Sequence, residues 1–296
     1  MQVTMKRSSG GIDSVVRGYE AQEVRDVSPM VIVAVDPISC VLAQYETFLG
    51  RFTDIEAYYI FEFTKYERVD KRLDLTDLTD ILTPEQINIF LQSTIAYENR
   101  KGYNKFTGIF ITKLLQNSYD AGHNEFELRV SSATDMHYVG VTLLGTEDRL
   151  FSVSINGNGG MFFGREARYC QFTVNGNVGW YCGYRANNSY FTINGDSKSN
   201  AGAQATNSTF FIQGSGQNLG HGAQRCEFTL HGKDLSDVLL YKNPPTKYCT
   251  FKTSNRETLD NFFHLIGTST NDSPEHDFGN RIIFIDSDGK EEVITR

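Results

Sequence analysis

Between positions 151 and 233 the chain repeats itself every nineteen residues. Gly157, Gly176, Gly195 and Gly214 keep that step, and Gly232 follows at eighteen. Val153, Phe172, Phe191, Phe210 and Phe228 run in the same register, as do Ile155, Val174, Ile193, Ile212 and Leu230. A second glycine column reads Gly164, Gly183, Gly202, Gly220, followed by Ala167, Ala186, Ala205, Ala223 and by Cys170, Ser189, Ser208, Cys226. One deletion between Gly214 and Gly220 accounts for every eighteen-residue step. Self-similarity at about twenty residues is the mark of a solenoid, in which each coil contacts only its neighbours.

The period also assigns an inside and an outside. One coil per repeat stacks parallel strands about 4.8 Å apart, so equivalent residues form ladders. The Val153/Phe172 and Ile155/Val174 columns stand two residues apart and therefore share a side, the interior. Thr173, Thr192 and Thr229, between them, are expected outside. Each glycine column marks a corner that needs positive φ or close backbone approach. Asn156, Asn175, Asn194 and Gln213 are placed to form an outward amide ladder. No proline interrupts 87–243, as ladder-forming amides require. Counting nineteen back puts Met136 in the Ile155 column and Gly145 in the second glycine column, which predicts one or two irregular starting rungs.

The flanks read differently. Residues 1–28 are a polar arm. Residues 30–35 and 55–66 have the apolar, aromatic and β-branched character of strands. Residues 39–52 predict a helix capped by Ser39, and 73–82 a helical turn. Thr83-Pro84-Glu85-Gln86 combines an N-cap, a first-position proline and an acidic first turn, so a helix runs from there to about 99. Another covers 106–119. After 122 the apolar period changes from 3.6 to 2. Cys249-Thr250-Phe251 repeats the Cys226-Glu227-Phe228 pattern with four residues inserted. A short helix at 257–266 and a hairpin over 281–295, turning at Ser287-Asp288-Gly289, are expected to cap the last rung. The predicted architecture is mainly β: a right-handed parallel β-helix over 124–254, an α/β or helical domain over 29–123, and a helix-plus-hairpin cap over 255–296.

Two resemblances follow. The rows Gly157-Asn158-Gly159-Gly160 and Gly176-Asn177-Val178-Gly179, each with a further glycine four residues on and an alanine three after that, resemble the GXGXG β-helix. That domain closes the large subunit of glutamate synthase and forms much of one subunit of formylmethanofuran dehydrogenase. The resemblance covers about 151–233 and departs at Lys198, which replaces the middle glycine. It implies a structural domain packed between catalytic units, and hence an accessory subunit of an oxidoreductase complex as one function. Separately, Ser9, Gly10, Gly11, Ile12, Asp13 and Ser14 resemble the SGGxDS loop of PP-loop ATP pyrophosphatases, which would imply an ATP-using enzyme with pyrophosphate on backbone amides. A flexible Ser/Gly arm accounts for the same six residues, because no buried strand precedes them.

Composition narrows the function classes. Net charge is −8, but 151–232 carries five Lys/Arg against three Asp/Glu, so the acidity lies elsewhere. Without a Lys/Arg run, neither nucleic acid nor an anionic membrane is the expected partner. No stretch reaches eighteen apolar residues. None of the five cysteines has CxxC spacing, and Cys170 and Cys226, in one small repeat column, are read as buried and reduced, in a cytoplasmic chain without a bound metal or other cofactor. Glu166, Asp196 and Glu227 occupy different columns, so no acid pair for glycoside chemistry is evident. His221 and His231 are at most a weak metal pair. What the fold does not require is the aromatic turn: Met161, Phe162 and Phe163, then Trp180, Tyr181 and Tyr184. Such rings form a patch too large to leave wet. It is expected either to receive the N-terminal domain or to bind a protein partner or a second copy. The leading expectation is a non-catalytic scaffold.

Overall fold

The computed structural model describes residues 36–52, 74–130, 135–234, 246–267 and 279–294. The two strands expected at 30–35 and 55–66 and the Ser9–Ser14 loop lie outside these residues. The architecture is mainly β, a parallel solenoid of about five turns with a few helices.

One nine-stranded sheet, in chain order, forms its long face. It comprises β1 (Glu125–Arg129), β2 (Phe151–Asn156), β3 (Cys170–Asn175), β4 (Tyr190–Ile193), β5 (Thr209–Ile212), β6 (Glu227–Leu230), β7 (Thr250–Thr253), β8 (Arg281–Ile285) and β9 (Glu291–Ile294). Every neighbour pair is parallel except β8 and β9, the hairpin. Two lines of single parallel bridges complete each coil, one through Met136, Gly159, Val178 and Ser197 and one through Leu144, Arg168, Asn187, Thr206, Gln224 and Lys247.

The interior is a column of phenyl rings. Phe172, Phe191, Phe210, Phe228 and Phe251 stack with centroids 5.0, 4.7, 5.0 and 5.1 Å apart and planes within 24°. Phe163 meets one end edge-on and Phe262 tilts against the other. The glycine columns serve this stack in different ways. At Gly176, Gly195, Gly214 and Gly232 a Cβ would meet the preceding rung's carbonyl oxygen at 2.3–2.6 Å, so backbone presses on backbone. At Gly183 the obstacle is a ring: a Cβ there would lie 2.5 Å from Cε1 of Phe210. Its left-handed φ of 63° is not what selects glycine, since Tyr181 (61°) and Arg185 (56°) in the same corner adopt it with full side chains.

Buried polar groups are used in ladders. The N–H of Cys170 donates to Ser189 Oγ (3.1 Å), that of Ser189 to Ser208 Oγ (3.1 Å), that of Ser208 to Cys226 Sγ (3.5 Å) and that of Cys226 to Cys249 Sγ (3.3 Å). Each of these side chains in turn donates to the carbonyl two residues before it. The column is small because it is buried, and Ser or Cys because each must both donate and accept. Outside, Asn194 donates to Asn175 and Asn175 to Asn156, both at 2.7 Å, and Asn156 to Glu127. A second stack went unread in sequence: Asn158, Asn177 and Asp196 each accept the main-chain N–H of the residue one rung on, at 2.7–2.9 Å. Thr173 and Thr192 face outward as expected, but Thr229 is buried, between Phe211 and Lys252 in its outer column.

Helices close both ends. α1 (Pro37–Gly50), α2 (Pro84–Ser93) and α3 (Tyr103–Asp120) pack around Tyr45, Phe48, Phe90 and Phe110. Asp36, not Ser39, caps α1, because Pro37 takes the first helical position and the Asp36 carboxylate accepts from the Ile38 and Ser39 amides. Thr83 and Gln86 form the capping box. Within 74–82 the expected turn is one hydrogen-bonded turn, Leu78 N–H to Leu75 O. The first rung presents an open edge, and helix side chains spaced by four fill it. Asn88 accepts from Arg129 N–H and Gln92 donates to Arg129 O. Thr112 accepts from Gly140 N–H, and Gln116 binds both N–H and O of Leu144. At the far end, Thr258 and Asn261 of α4 (Arg256–Gly267) do the same for Asp234.

The starting rung is irregular, as expected, but its register is not a nineteen-residue projection. Phe126 pairs with Val153 and Leu128 with Ile155, twenty-seven residues on. Met136 instead bridges Gly159, and Gly140 rather than Gly145 takes the second glycine column, its neighbour Val139 accepting from Gly164 N–H. The Thr146–Arg149 turn is extra chain in this rung, and it displaces the arithmetic.

Candidate functional site

The corner that carries the aromatic turn alternates left-handed and right-handed residues. Phe162, Gly164 and Glu166 have φ of 58°, 62° and 58°, and Tyr181, Gly183 and Arg185 repeat them. Alternation sends neighbours to opposite sides, so the expected patch divides. Phe163 and Cys182 point inward and are fully buried. Phe162 is also covered: it is sandwiched between Tyr138 (5.2 Å) and Tyr181 (5.3 Å, 5° between planes), with the Arg165 guanidinium 5.5 Å above the ring. Met161, Tyr181 and Tyr184 are half-buried, and Trp180 is 47% exposed with Lys198 Nζ 5.4 Å above its ring. Tyr184 stands edge-on to Tyr181 and donates to Gln204 Oε1 at 3.2 Å. Among the described residues, the N-terminal helices cover the end of the coil, where a Cβ on Gly108 would touch the His137 carbonyl.

His137 lies one rung before Met161. Its Nδ1 accepts the Met161 N–H at 3.0 Å, and burial pulls its pKa down to about 4, so the ring is neutral with the proton on Nε2. His221 and His231 fall in different columns. His231 bonds Ser254 Oγ at 3.2 Å and meets Phe211 edge-on. Among the described residues no group of three or more His, Cys, Asp or Glu is arranged to hold a metal. The repeat's three carboxylates serve the fold: Glu166 pairs with Arg165 (2.9 Å), Asp196 accepts from Ser215 N–H, and Glu227 reaches Lys252 (3.4 Å). All five cysteines are free, and burial pushes the Cys170 thiol up to about 12, which makes it a poor nucleophile. Among the described residues no helix is long and apolar enough to cross a membrane.

Beside the aromatic corner runs an open groove of about 450 Å³, lined by Thr142, Leu144, Glu166, Arg168 and Arg185. Sequence reading missed it, because Leu144 meets Arg168 only through the irregular first rung. Comparison with protein-family models, curated proteins and solved structures returned no match.

Proposed function

We propose that the chain is a non-catalytic scaffold, a right-handed coil of the GXGXG kind, that binds a protein partner or a second copy of itself at the corner around Trp180. The observation that carries this reading is the half-exposed Trp180 indole beside a rigid Tyr138–Phe162–Tyr181 stack. Trp is the residue type most enriched among binding hot spots, and covering such a ring is worth about 1.5–3 kcal/mol. The backbone under it is held rung to rung, Phe162 N–H to Trp180 O at 2.8 Å and Tyr181 N–H to Ser199 O at 3.0 Å, so little order has to be gained on binding.

The test is sedimentation velocity and affinity capture with the full chain and Trp180→Ala. Loss of self-association or of a stoichiometric partner, with melting unchanged, is the expected result; association equal to wild type rejects the corner. The two other readings have their own signatures. Thermal stabilisation by ATP that disappears in Asp13→Ala supports a nucleotide enzyme, and a redox subunit retained at fixed stoichiometry supports an accessory role in an oxidoreductase.

A further inference from the structure

Beyond the aromatic corner, two adjacent outer columns run the length of the coil where it turns back into the sheet. One holds Arg168, Asn187, Thr206, Gln224 and Lys247, in bridge register. The next holds Tyr169, Asn188, Asn207, Arg225 and Tyr248, the first four with φ of 48–52° and Tyr248 at 55°. A left-handed residue at this corner turns two successive side chains outward, and Arg168, Asn207, Gln224, Arg225 and Tyr248 are exposed. Neither column contains Asp or Glu. Arg185, in the groove beside Arg168, joins the same face.

The arginines are held but not neutralised. Arg185 Nε donates to Gln204 Oε1 at 3.0 Å and Arg225 Nε to Asn207 Oδ1 at 2.9 Å, each an amide on a neighbouring rung. Using Nε this way leaves the two Nη groups out of these bonds, and the Arg185 guanidinium also lies 5.0 Å over the Tyr184 ring; a guanidinium fork takes a carboxylate bidentately. Among the described residues no carboxylate pairs with Arg168, Arg185 or Arg225. The acid closest in register, Glu166, lies one rung before Arg185 and lines the same groove, but its carboxylate is taken by Arg165 at 2.9 Å.

We infer that this face binds an extended Asp/Glu-rich segment of a partner protein, laid along the solenoid axis. The inference rests on the scaffold reading and names the partner's chemistry. Three rung steps separate Arg168 from Arg225, about 14 Å, which about four residues of extended chain span. Acidic segments repel themselves and stay extended, which suits a straight, flat track. Amide and hydroxyl groups between the cations offer bonds to the segment's backbone. The chain's net charge of −8 opposes the long-range approach of any polyanion, so binding here depends on the local arginines, and nucleic acid is the competing outcome that the test reads.

The test uses the full chain and a fluorescein-labelled decaglutamate peptide, with a decalysine peptide and a ten-base oligothymidine as comparisons, read by anisotropy at low and physiological salt. The variant is Arg168→Asn, Arg185→Gln, Arg225→Asn combined. Each change installs a residue type already present in that column, at Asn187, Gln204 and Asn207, so folding is expected to persist and melting verifies it. Decaglutamate is expected to bind in a salt-dependent way and to lose about tenfold in affinity in the triple variant. Trp180→Ala is expected to leave that binding unchanged, so a failure of the aromatic corner and a failure of this face are separately visible. Absence of decaglutamate binding at low salt, equal binding by the triple variant, or tighter binding of the oligonucleotide overturns the inference.

Discussion

Gly183→Ala tests the reason for the second glycine column. Gly183 has φ of 63°, and an added Cβ would sit 2.5 Å from Cε1 and 2.8 Å from Cζ of Phe210. Left-handed φ costs an alanine about 1–2 kcal/mol, and pressing a methyl into a packed core costs about 1–3 kcal/mol more. Phe210 cannot slide away, because it stacks on Phe191 at 4.7 Å and on Phe228 at 5.0 Å. The expected loss is therefore about 2–5 kcal/mol by equilibrium denaturation. Trp180, the chain's one tryptophan, lies in the same rung and reports its opening by fluorescence. Two comparisons separate the contributions. Arg185→Gly, at φ 56°, is expected to change stability little, since the relief of the backbone cost offsets the loss of the exposed side chain's Nε bond to Gln204 and its contact over Tyr184. In a Phe210→Leu background, Gly183→Ala should cost at least about 1 kcal/mol less, the sign of direct coupling. A Gly183→Ala loss that is the same in both backgrounds means that φ alone, and not the ring, selects glycine.

Ser189→Ala leaves the buried Cys170 N–H without its acceptor and removes one of two donors to the Asn187 carbonyl, which keeps the Tyr169 N–H, at an expected cost of about 1–3 kcal/mol. Ser189→Cys, which restores the pattern of Cys226 and Cys249, should stay within about 1 kcal/mol of wild type and keep slow hydrogen exchange at Cys170. The pH dependence is set in part by His137. Its folded pKa of about 4 lies below its unfolded value near 6.5, so the unfolded state binds more protons between them. Stability from this group is constant above pH 6.5 and falls as pH drops toward 4. The difference in denaturation midpoint between pH 7 and pH 5 should shrink in His137→Asn, and an imidazole titrating at 6.5 in the folded chain contradicts this account.

The amino-acid order specified the solenoid by itself. In parallel rungs of equal length, identical positions must stack, so the phenyl column, the inner aliphatic column and the Asn156–Asn175–Asn194 ladder follow from the period. The Thr83–Gln86 capping box is equally local, and it forms as read. Tertiary structure decided what periodicity does not encode. Insertions in the first rung shift Met136 and Gly140 away from their projected columns. Left-handed corners at residues other than glycine divide the rings between inside and outside, and stacking between Tyr138 and Tyr181 then covers Phe162 while Trp180 stays half-exposed. Helix side chains spaced by four close the open edge, a match between two elements that neither sequence announces alone. The cations at 168, 185, 225 and 247 are scattered in sequence and of no fixed period. Only the stacking of coils brings them onto one face, because a coil returns the chain to the same place every turn whether or not the residues found there repeat.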